Sequence, residues 1–233
     1  MSRKTLAERV RDRLDVPADA AAWCRIGKIP TPPEDVHRAA GGGPLRPAVI
    51  RPLGALGILL GGLFYPLLML LIFLSVLEER MERLLGPESE RARARGKDRE
   101  AKEGKAALQA HGLDQIFDGD WTGSAGQFLL SWYSHSPHHN RVLVLAQGRI
   151  VLMAPPKRVS VRQEARLRVV AELPTAEAVV EDPLAGSHAT DRLRIRFSDG
   201  SWLVVITEET RSDVHMHVTR RPRPGSRRRA SAD

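Results

Sequence analysis

An uncharged apolar run constrains the fold of this chain more than any other sequence feature. Residues 53–77 read LGALGILLGGLFYPLLMLLIFLSVL and contain no charged side chain. A helix rises about 1.5 Å per residue, so about 20 apolar residues cross a hydrocarbon core roughly 30 Å thick. Arg51 and Pro52 precede the run, and Glu78 follows it. The run therefore predicts one transmembrane helix, Leu53–Leu77, in a single-pass protein of the cell membrane.

Three further features of the run refine this prediction. It starts too far into the chain for a signal peptide, and it is longer than the roughly 7–15 apolar residues that such a peptide carries. Pro66 favours a kinked helix, and a re-entrant hairpin that turns at Pro66 or at Gly61 and Gly62 is the alternative. Gly57 and Gly61 form a GxxxG pattern, which lets two helix backbones approach closely and predicts a homodimer through the helix.

The basic charge of the chain lies mainly at its two ends. The net charge is +8, and residues 1–52 hold ten Lys or Arg against six Asp or Glu, while residues 220–233 hold six against one. A nucleic-acid-binding domain would carry its basic patch on a folded surface. The distribution therefore favours an anionic lipid bilayer as partner and argues against nucleic acid. Cys24 is the only cysteine, which excludes an intrachain disulfide.

Composition divides the chain into five segments. The first is a basic, Pro- and Gly-rich head and linker that includes a short predicted helix over residues 2–14, and the second is the transmembrane helix. A charged helical stalk and connector follows, since opposite charges recur at helical spacing. A β-rich domain and a disordered basic tail complete the chain. The predicted boundaries are 1–52, 53–77, 78–125, 126–219 and 220–233.

The hydrophobic period changes from 3.6 to 2 at about residue 126, which predicts strands. In DRLRIRF, apolar and arginine side chains alternate, and Asp199 and Gly200 then form a two-residue hairpin signal. The fold class expected is α+β overall, with one transmembrane helix and a C-terminal antiparallel β-barrel or sandwich. The predicted strands are Gln127–Ser134, Arg141–Gln147, Arg149–Ala154, Ala165–Glu172, Glu177–Glu181, Asp191–Ser198, Ser201–Thr207 and Asp213–Arg220.

Three successive segments, RVLVLAQGRIVLMAPP, LRVVAELPTAEAVV and RLRIRFSDGSWLVV, together resemble bacterial PH-like domains, including the GRAM type. The resemblance covers about residues 126–210, and the Arg-, Ala-, Gly- and Pro-rich composition is similar to that of single-span membrane proteins of actinobacteria. It implies a curved sheet or split barrel capped by a C-terminal helix, and binding of phosphoinositide headgroups or proteins without catalysis. The chain departs from the family where Val214, Met216 and Val218 alternate as in a strand, which leaves a generic β-barrel open.

The residue types that carry chemistry do not form a recognised catalytic or metal motif. His135, His138 and His139 cluster in one turn, and His215 and His217 share a predicted strand face, but no acidic residue or cysteine stands beside them at ligand spacing. The TGSAG segment lacks the pattern of a nucleophile elbow, and Cys24 has no nearby histidine. The sequence therefore predicts no catalytic residue, no cofactor and no metal, and the protein is expected not to be an enzyme.

Basic side chains are the remaining candidates for ligand contact. Arg192, Arg194 and Arg196 form a cationic stripe on one face of a predicted strand, and Lys157 and Arg158 follow another strand. Both groups are placed to contact lipid phosphates or an acidic partner. The alternative is a solvated outer sheet face, since antiparallel sheets often keep one side in water.

The count of basic residues beside the apolar run favours the C-terminal side in the cytoplasm. The expected function is that of a non-enzymatic, membrane-anchored binding or scaffolding protein, which presents a PH-like domain to lipid headgroups or a protein partner. The alternative is an envelope-facing β-domain that acts in sensing or envelope assembly.

Overall fold

The structure is a computed structural model, and it describes residues 5–14, 17–42, 65–66, 69–75, 77, 88–135, 140–155 and 163–220. The chain forms two compact units. One unit combines Met1–Pro47 with Leu108–Asp233, and the other is Ala48–Ala107. The second unit is thus an insertion in the sequence of the first.

A seven-stranded antiparallel sheet forms the first unit, in the order β4-β3-β2-β1-β7-β6-β5. The edge strands β4 and β5 are joined by only three residues, 175–177. Six strand spacings in a flat sheet would separate those edges by about 29 Å, whereas this link spans at most about 15 Å. The open sheet must therefore curve until its edges approach at that end. The strands are β1 Ala20–Arg25, β2 Arg141–Ala146, β3 Arg149–Ala154, β4 Arg168–Pro174, β5 Ala178–Glu181, β6 Arg192–Phe197 and β7 Trp202–Thr207.

The named helices of the described residues are five α-helices and a 3₁₀ turn, besides the helical residues within 65–77. They are α1 Leu6–Leu14, α2 Glu34–Ala39, α3 Glu88–Ala110, α4 Ser124–His135 and α5 Asp213–Arg220, with the 3₁₀ turn at Gln163–Arg166. Leu129 and Trp132 of α4 join the main core on one sheet face, together with Val214 of α5. Ala7 and Val10 of α1 pack on the other face. Because both faces of β2 are covered, all six of its residues are buried.

The central position of β1 decides how the apolar run relates to the sheet. Ala22 of β1 pairs with Leu143 of β2, and Cys24 pairs with Thr207 of β7. β1 precedes residues 53–77 in the chain and β2 follows them, yet both strands lie in one sheet. A helix that crossed a membrane once would place β1 and β2 on opposite sides and separate them. The predicted single-pass topology is therefore incompatible with this sheet.

The described residues also contain no helix that is both long and apolar enough to cross a membrane. α3 has 23 residues but is densely charged. Within the predicted span, the described residues 65–66, 69–75 and 77 are helical. Their large apolar side chains are exposed, Phe73 by 63%. The predicted transmembrane helix and the single-pass cell-membrane location are wrong, and the choice between a cytoplasmic and an envelope-facing domain loses its basis.

The predicted pairing of two helices through Gly57 and Gly61 concerns residues that lie outside the described part. Residues 53–64, 67–68 and 76 are likewise outside it. The homodimer through these glycines stays a prediction.

Six of the eight predicted strands are present, and two are helices. The segment 127–134 lies in α4, where Ala125, Leu129 and Trp132 are buried at helical spacing. The segment 213–220 is α5, in which Val214 is buried while Met216 is 44% exposed. Strand alternation would have placed these two side chains on the same face. The predicted barrel or sandwich is thus corrected to one open sheet with helices against it. The prediction that a strand replaces the family's C-terminal helix at residues 213–220 is also wrong.

β1, the strand on which the sheet depends, lies in the head segment 1–52, for which the sequence predicted no strand. Its sequence AAAWCR has three alanines, which are depleted in strands. Ala20, Ala22 and Cys24 face the main core, while Ala21 belongs to the cluster that contains α1. Small side chains on both faces let the helices approach the centre of the sheet closely.

A charge placed in β1 tests the role of this strand. Ala22 is 4% exposed, so Ala22→Asp buries a carboxylate among apolar side chains, whereas Arg25 of the same strand is exposed. We expect Ala22→Asp to lower the free energy of unfolding by about 3 kcal/mol or more. Arg25→Asp, the matched control, should change it by less than about 0.5 kcal/mol. Urea unfolding followed by circular dichroism measures both, and equal effects would contradict a central β1.

Candidate functional site

The predicted arginine stripe lies on β6 but is engaged within the protein. Arg192 Nη1 donates a hydrogen bond of 2.6 Å to the carbonyl oxygen of Leu113. The Nε atoms of Arg194 and Arg196 lie 3.1 and 3.2 Å from Glu181 Oε1 on the neighbouring strand β5. The three arginines that the sequence suggested for ligand contact therefore bind groups of the protein itself. Lys157 and Arg158 lie outside the described residues.

Two of these arginines hold the chain that leaves α3 against the sheet. Arg194 Nη1 is 3.5 Å from the carbonyl oxygen of His111. The next residue, Gly112, has a φ of +67°, and a Cβ atom there would lie 3.2 Å from the Trp202 ring. Glycine thus allows both the left-handed turn and the close approach of this ring. Arg192 and Arg194 thus hold residues 111–113 on the outer face of β6 and β7, while Arg196 contacts Glu181 instead.

The contact between Arg192 and Leu113 should contribute measurably to stability. Leu113 is fully buried, so Arg192→Ala leaves its carbonyl group without this charged donor. We expect a loss of about 1.5–3 kcal/mol in the free energy of unfolding. Arg196→Ala is the control, because the side chain of Arg196 is 55% exposed and exposed ion pairs contribute at most about 1 kcal/mol. Urea titrations that gave the two variants equal stability would contradict this assignment.

Neither Cys24 nor Ser124, the two residues considered as nucleophiles, lies in an environment that would activate it. Burial raises the pKa of the Cys24 thiol to about 12, which keeps it protonated and unreactive at neutral pH. Ser124 begins α4, and its backbone N–H donates a 2.8 Å hydrogen bond to Asp199 Oδ2. Hydrogen bonds from Ser201 and Ser124 hold the pKa of Asp199 well below its usual range. Asp199 and Ser201 therefore stabilise the start of α4 as an N-terminal cap does.

The second glycine of TGSAG has a packing role. A Cβ atom on Gly126 would lie 2.5 Å from the backbone oxygen of Asp120 and 2.6 Å from the Cα of Trp121. Real Cβ contacts are essentially never that short. Gly126 is therefore needed because the backbone of residues 120–121 lies directly against α4, and its presence does not indicate a hydrolase.

A polar cluster at the start of α5 is the first candidate site. Ser212 Oγ and His215 Nδ1 lie 2.8 Å apart, and both residues are buried. A cleft of about 280 Å³ lies beside them, and Asp182, His188 and Thr190 line it together with His215. His215 Nε2 has no hydrogen-bond partner among the described residues.

Serine, histidine and aspartate together invite comparison with a catalytic triad. In a triad, the carboxylate holds Nδ1 of the histidine while Nε2 takes the proton from an accessible serine. Here Nδ1 faces Ser212, which is 5% exposed and precedes the first turn of α5. The geometry is that of a helix cap made by Ser212 and His215, and it presents no nucleophile to the cleft.

The histidines do not assemble a metal centre in the described part of the chain. No group of three His, Cys, Asp or Glu residues stands close enough there to hold an ion. His138 and His139 lie outside the described residues, as does the side chain of His135.

Burial of His215 predicts that stability falls in mild acid. Desolvation lowers the pKa of His215 below 6.5, and the nearby Asp182 opposes this effect. Because the folded state favours neutral imidazole, the contribution of His215 is full above the unfolded pKa of about 6.5 and is lost as the pH falls below it. Burial raises the pKa of Asp182 above 3.8, so its opposite contribution appears at lower pH.

We therefore expect the free energy of unfolding to fall between pH 7.5 and pH 5.5. His215→Gln, which cannot titrate, should flatten this dependence. Urea unfolding at the two pH values provides the measurement. An equally steep fall in the variant would assign the effect to other groups.

A second cleft, of about 560 Å³, lies between residues 28–31 and 114–119. Phe117 forms a bridge with Leu203 of β7, and the hydrogen bonds beside it run from Val204 N to Ile116 O at 2.7 Å and from Asp118 N to Trp202 O at 3.2 Å. We call this space the split-strand cleft. Its apolar lining is Ile29, Pro30, Ile116 and Phe117, and its charged lining residues are Lys28 and Asp114.

Sequence reasoning could not find the split-strand cleft. Its two walls are more than 80 positions apart in the chain, and they meet because β1, which precedes one wall, and Phe117 of the other wall both pair with β7. The prolines at 30, 32 and 33 were the one local signal, and they predicted a linker.

Comparisons with known proteins do not place the chain in a family. No family model matches the sequence, and no curated protein or solved structure matches it. The function of the chain is therefore inferred from its own geometry and from the resemblance of its sequence to PH-like domains.

Proposed function

We propose that the sheet unit is a non-enzymatic binding or scaffolding module for a protein partner, of the kind that the resemblance to PH-like domains implies. The strand order carries this proposal. Seven antiparallel strands follow one another as β1–β7, the sheet curves until its edges approach, and α5 follows the last strand. A curved sheet followed by a C-terminal helix is the arrangement that the resemblance implies. Because the predicted transmembrane helix is wrong, the proposal does not include membrane anchoring.

The electrostatics of the sheet favour a protein over a lipid headgroup. A headgroup site needs cations that are available to phosphate oxygens. Arg192, Arg194 and Arg196 instead contact Glu181 and the backbone carbonyls of residues 111 and 113. The split-strand cleft is mostly apolar and has one charge of each sign among its lining residues. Such a surface suits a polypeptide better than a phosphate group.

Vesicle binding discriminates between the two partners. The full chain is incubated at physiological salt with neutral phosphatidylcholine vesicles, or with vesicles in which a third of the lipid is anionic phosphatidylglycerol. We expect less than a twofold difference in the bound fraction between the two compositions after flotation. The difference is the readout, because it cancels any contribution of apolar side chains. A tenfold preference for anionic vesicles would replace the protein partner by a headgroup.

Photo-crosslinking in cells tests the protein partner directly. A benzoylphenylalanine is placed in turn at exposed positions of the sheet unit, including Thr31 and Glu177. We expect a discrete product of higher mass at two or more neighbouring positions, with the same partner identified by mass spectrometry in each. The absence of a discrete product at every position would contradict a binding module.

A further inference from the structure

The split-strand cleft lies where one strand leaves the sheet and another segment takes its place. β1 pairs with β7 through Arg25 and Ile206. Continued by three residues, this antiparallel register would bring Lys28 opposite Leu203. Phe117 stands opposite Leu203 instead. Residues 28–31 therefore leave the ladder, and the cleft separates them from the segment that has replaced them.

The backbone of Phe117 is unpaired on the side away from β7. In an antiparallel bridge of this type, the residues on either side of Phe117 bond to β7, so the N–H and C=O groups of Phe117 point away from that strand. Within the described part, neither group forms a hydrogen bond with the protein, and the same holds for the backbone of Lys28 and Ile29. Phe117 is only 4% exposed. Unpaired backbone groups at the edge of a ladder are a template for pairing with another strand, so this position favours an added strand.

The lining of the cleft matches an extended polypeptide. Ile29 is buried at 4% exposure, and Phe117 lies beside it in the core, so the floor is apolar and fixed. Lys28 and Asp114 are exposed and form no ion pair with the described residues. Successive side chains of a strand point to opposite faces, so an incoming segment directs alternate side chains to the floor and to the charged rim.

We propose that the split-strand cleft binds an extended segment of a partner protein, which adds a strand beside Phe117. The segment hydrogen-bonds to the N–H and C=O groups of Phe117 and places an apolar side chain against the floor formed by Ile29 and Phe117. An acidic side chain of the segment faces Lys28. This inference rests on the proposed binding function and names the site at which it occurs.

A random library of 12-residue peptides displayed on phage is the probe. It is selected on the full chain and counter-selected on the full chain carrying Thr31→Trp, which fills the cleft from its exposed rim. The matched control is Glu177→Trp, since Glu177 is an exposed turn residue that does not line the cleft. Thermal unfolding of both variants verifies that they keep the fold. The strongest peptide is then synthesised, and its affinity is measured by fluorescence anisotropy.

We expect selected peptides with alternating apolar residues, at least tenfold weaker binding to Thr31→Trp, and unchanged binding to Glu177→Trp. Hydrogen exchange of the Phe117 amide should slow by at least tenfold when the peptide is bound. Peptides that bind all three proteins equally would overturn the site while leaving the binding function in place. A selection that enriches no peptide would overturn both. If Lys28→Ala abolishes peptide binding but the bound peptide leaves Phe117 exchange unchanged in the original chain, the contact is a charged one without an added strand, and the proposal is also overturned.

Discussion

β1 holds the two halves of the sheet together, because β2, β3 and β4 lie on one side of it and β7, β6 and β5 on the other. Its five pairs with β2 are the longer contact, and its two pairs with β7 are the shorter. The main core spans this junction, from Leu143 and Leu152 on one side to Leu193 and Leu203 on the other. Without β1 the two halves would each expose an unpaired edge beside their most apolar strands.

This junction also determines how the chain is organised. Residues 26–140 separate β1 from β2, and they include the whole second unit, Ala48–Ala107. The second unit is therefore an insertion in the chain between two strands of the sheet unit. Such long sequence separations slow folding, because the entropy of closing the loop is lost before the strands pair. The apolar run by itself does not show that the strands before and after it pair with each other. For that reason the run alone predicted a helix that crosses a membrane once.

The local features of the fold were the predictable ones. The β2–β3 and β6–β7 hairpins follow from alternating strands around Gln-Gly and Asp-Gly turns, and Gly148 and Gly200 have φ values of +74° and +89°. β1 could not be predicted, since its alanines become strand residues only through neighbours on both sides. The helical nature of α5 was missed because alternation over a few residues also fits a helix whose exposed face carries Met216. Tertiary packing decided each of these cases, and local preference did not.

In the candidate site, too, the local pattern could be predicted from the sequence and the long-range contacts could not. The alternation of Arg192, Arg194 and Arg196 was correctly predicted, but their partners are long-range: Glu181 on β5 and the backbone at 111–113. A one-dimensional pattern gives the direction of a side chain and says nothing of what stands opposite. The same limit applies to Ser212 and His215, whose buried contact depends on the helical spacing of α5.

The sequence nevertheless explains why the split-strand cleft exists. After Arg25 the chain reads IGKIPTPP, and Pro30, Pro32 and Pro33 have no N–H to donate to a ladder. Proline is excluded from the middle of a sheet, so the chain cannot rejoin the ladder along β7 after Ile29. A Cβ atom on Gly27 would lie 3.2 Å from the Cγ1 atom of Ile116, and its absence lets the replacing segment come close at the point of departure. That segment bonds to β7 through Ile116 and Asp118 and leaves the outer groups of Phe117 open, while the prolines keep residues 30–33 from pairing there.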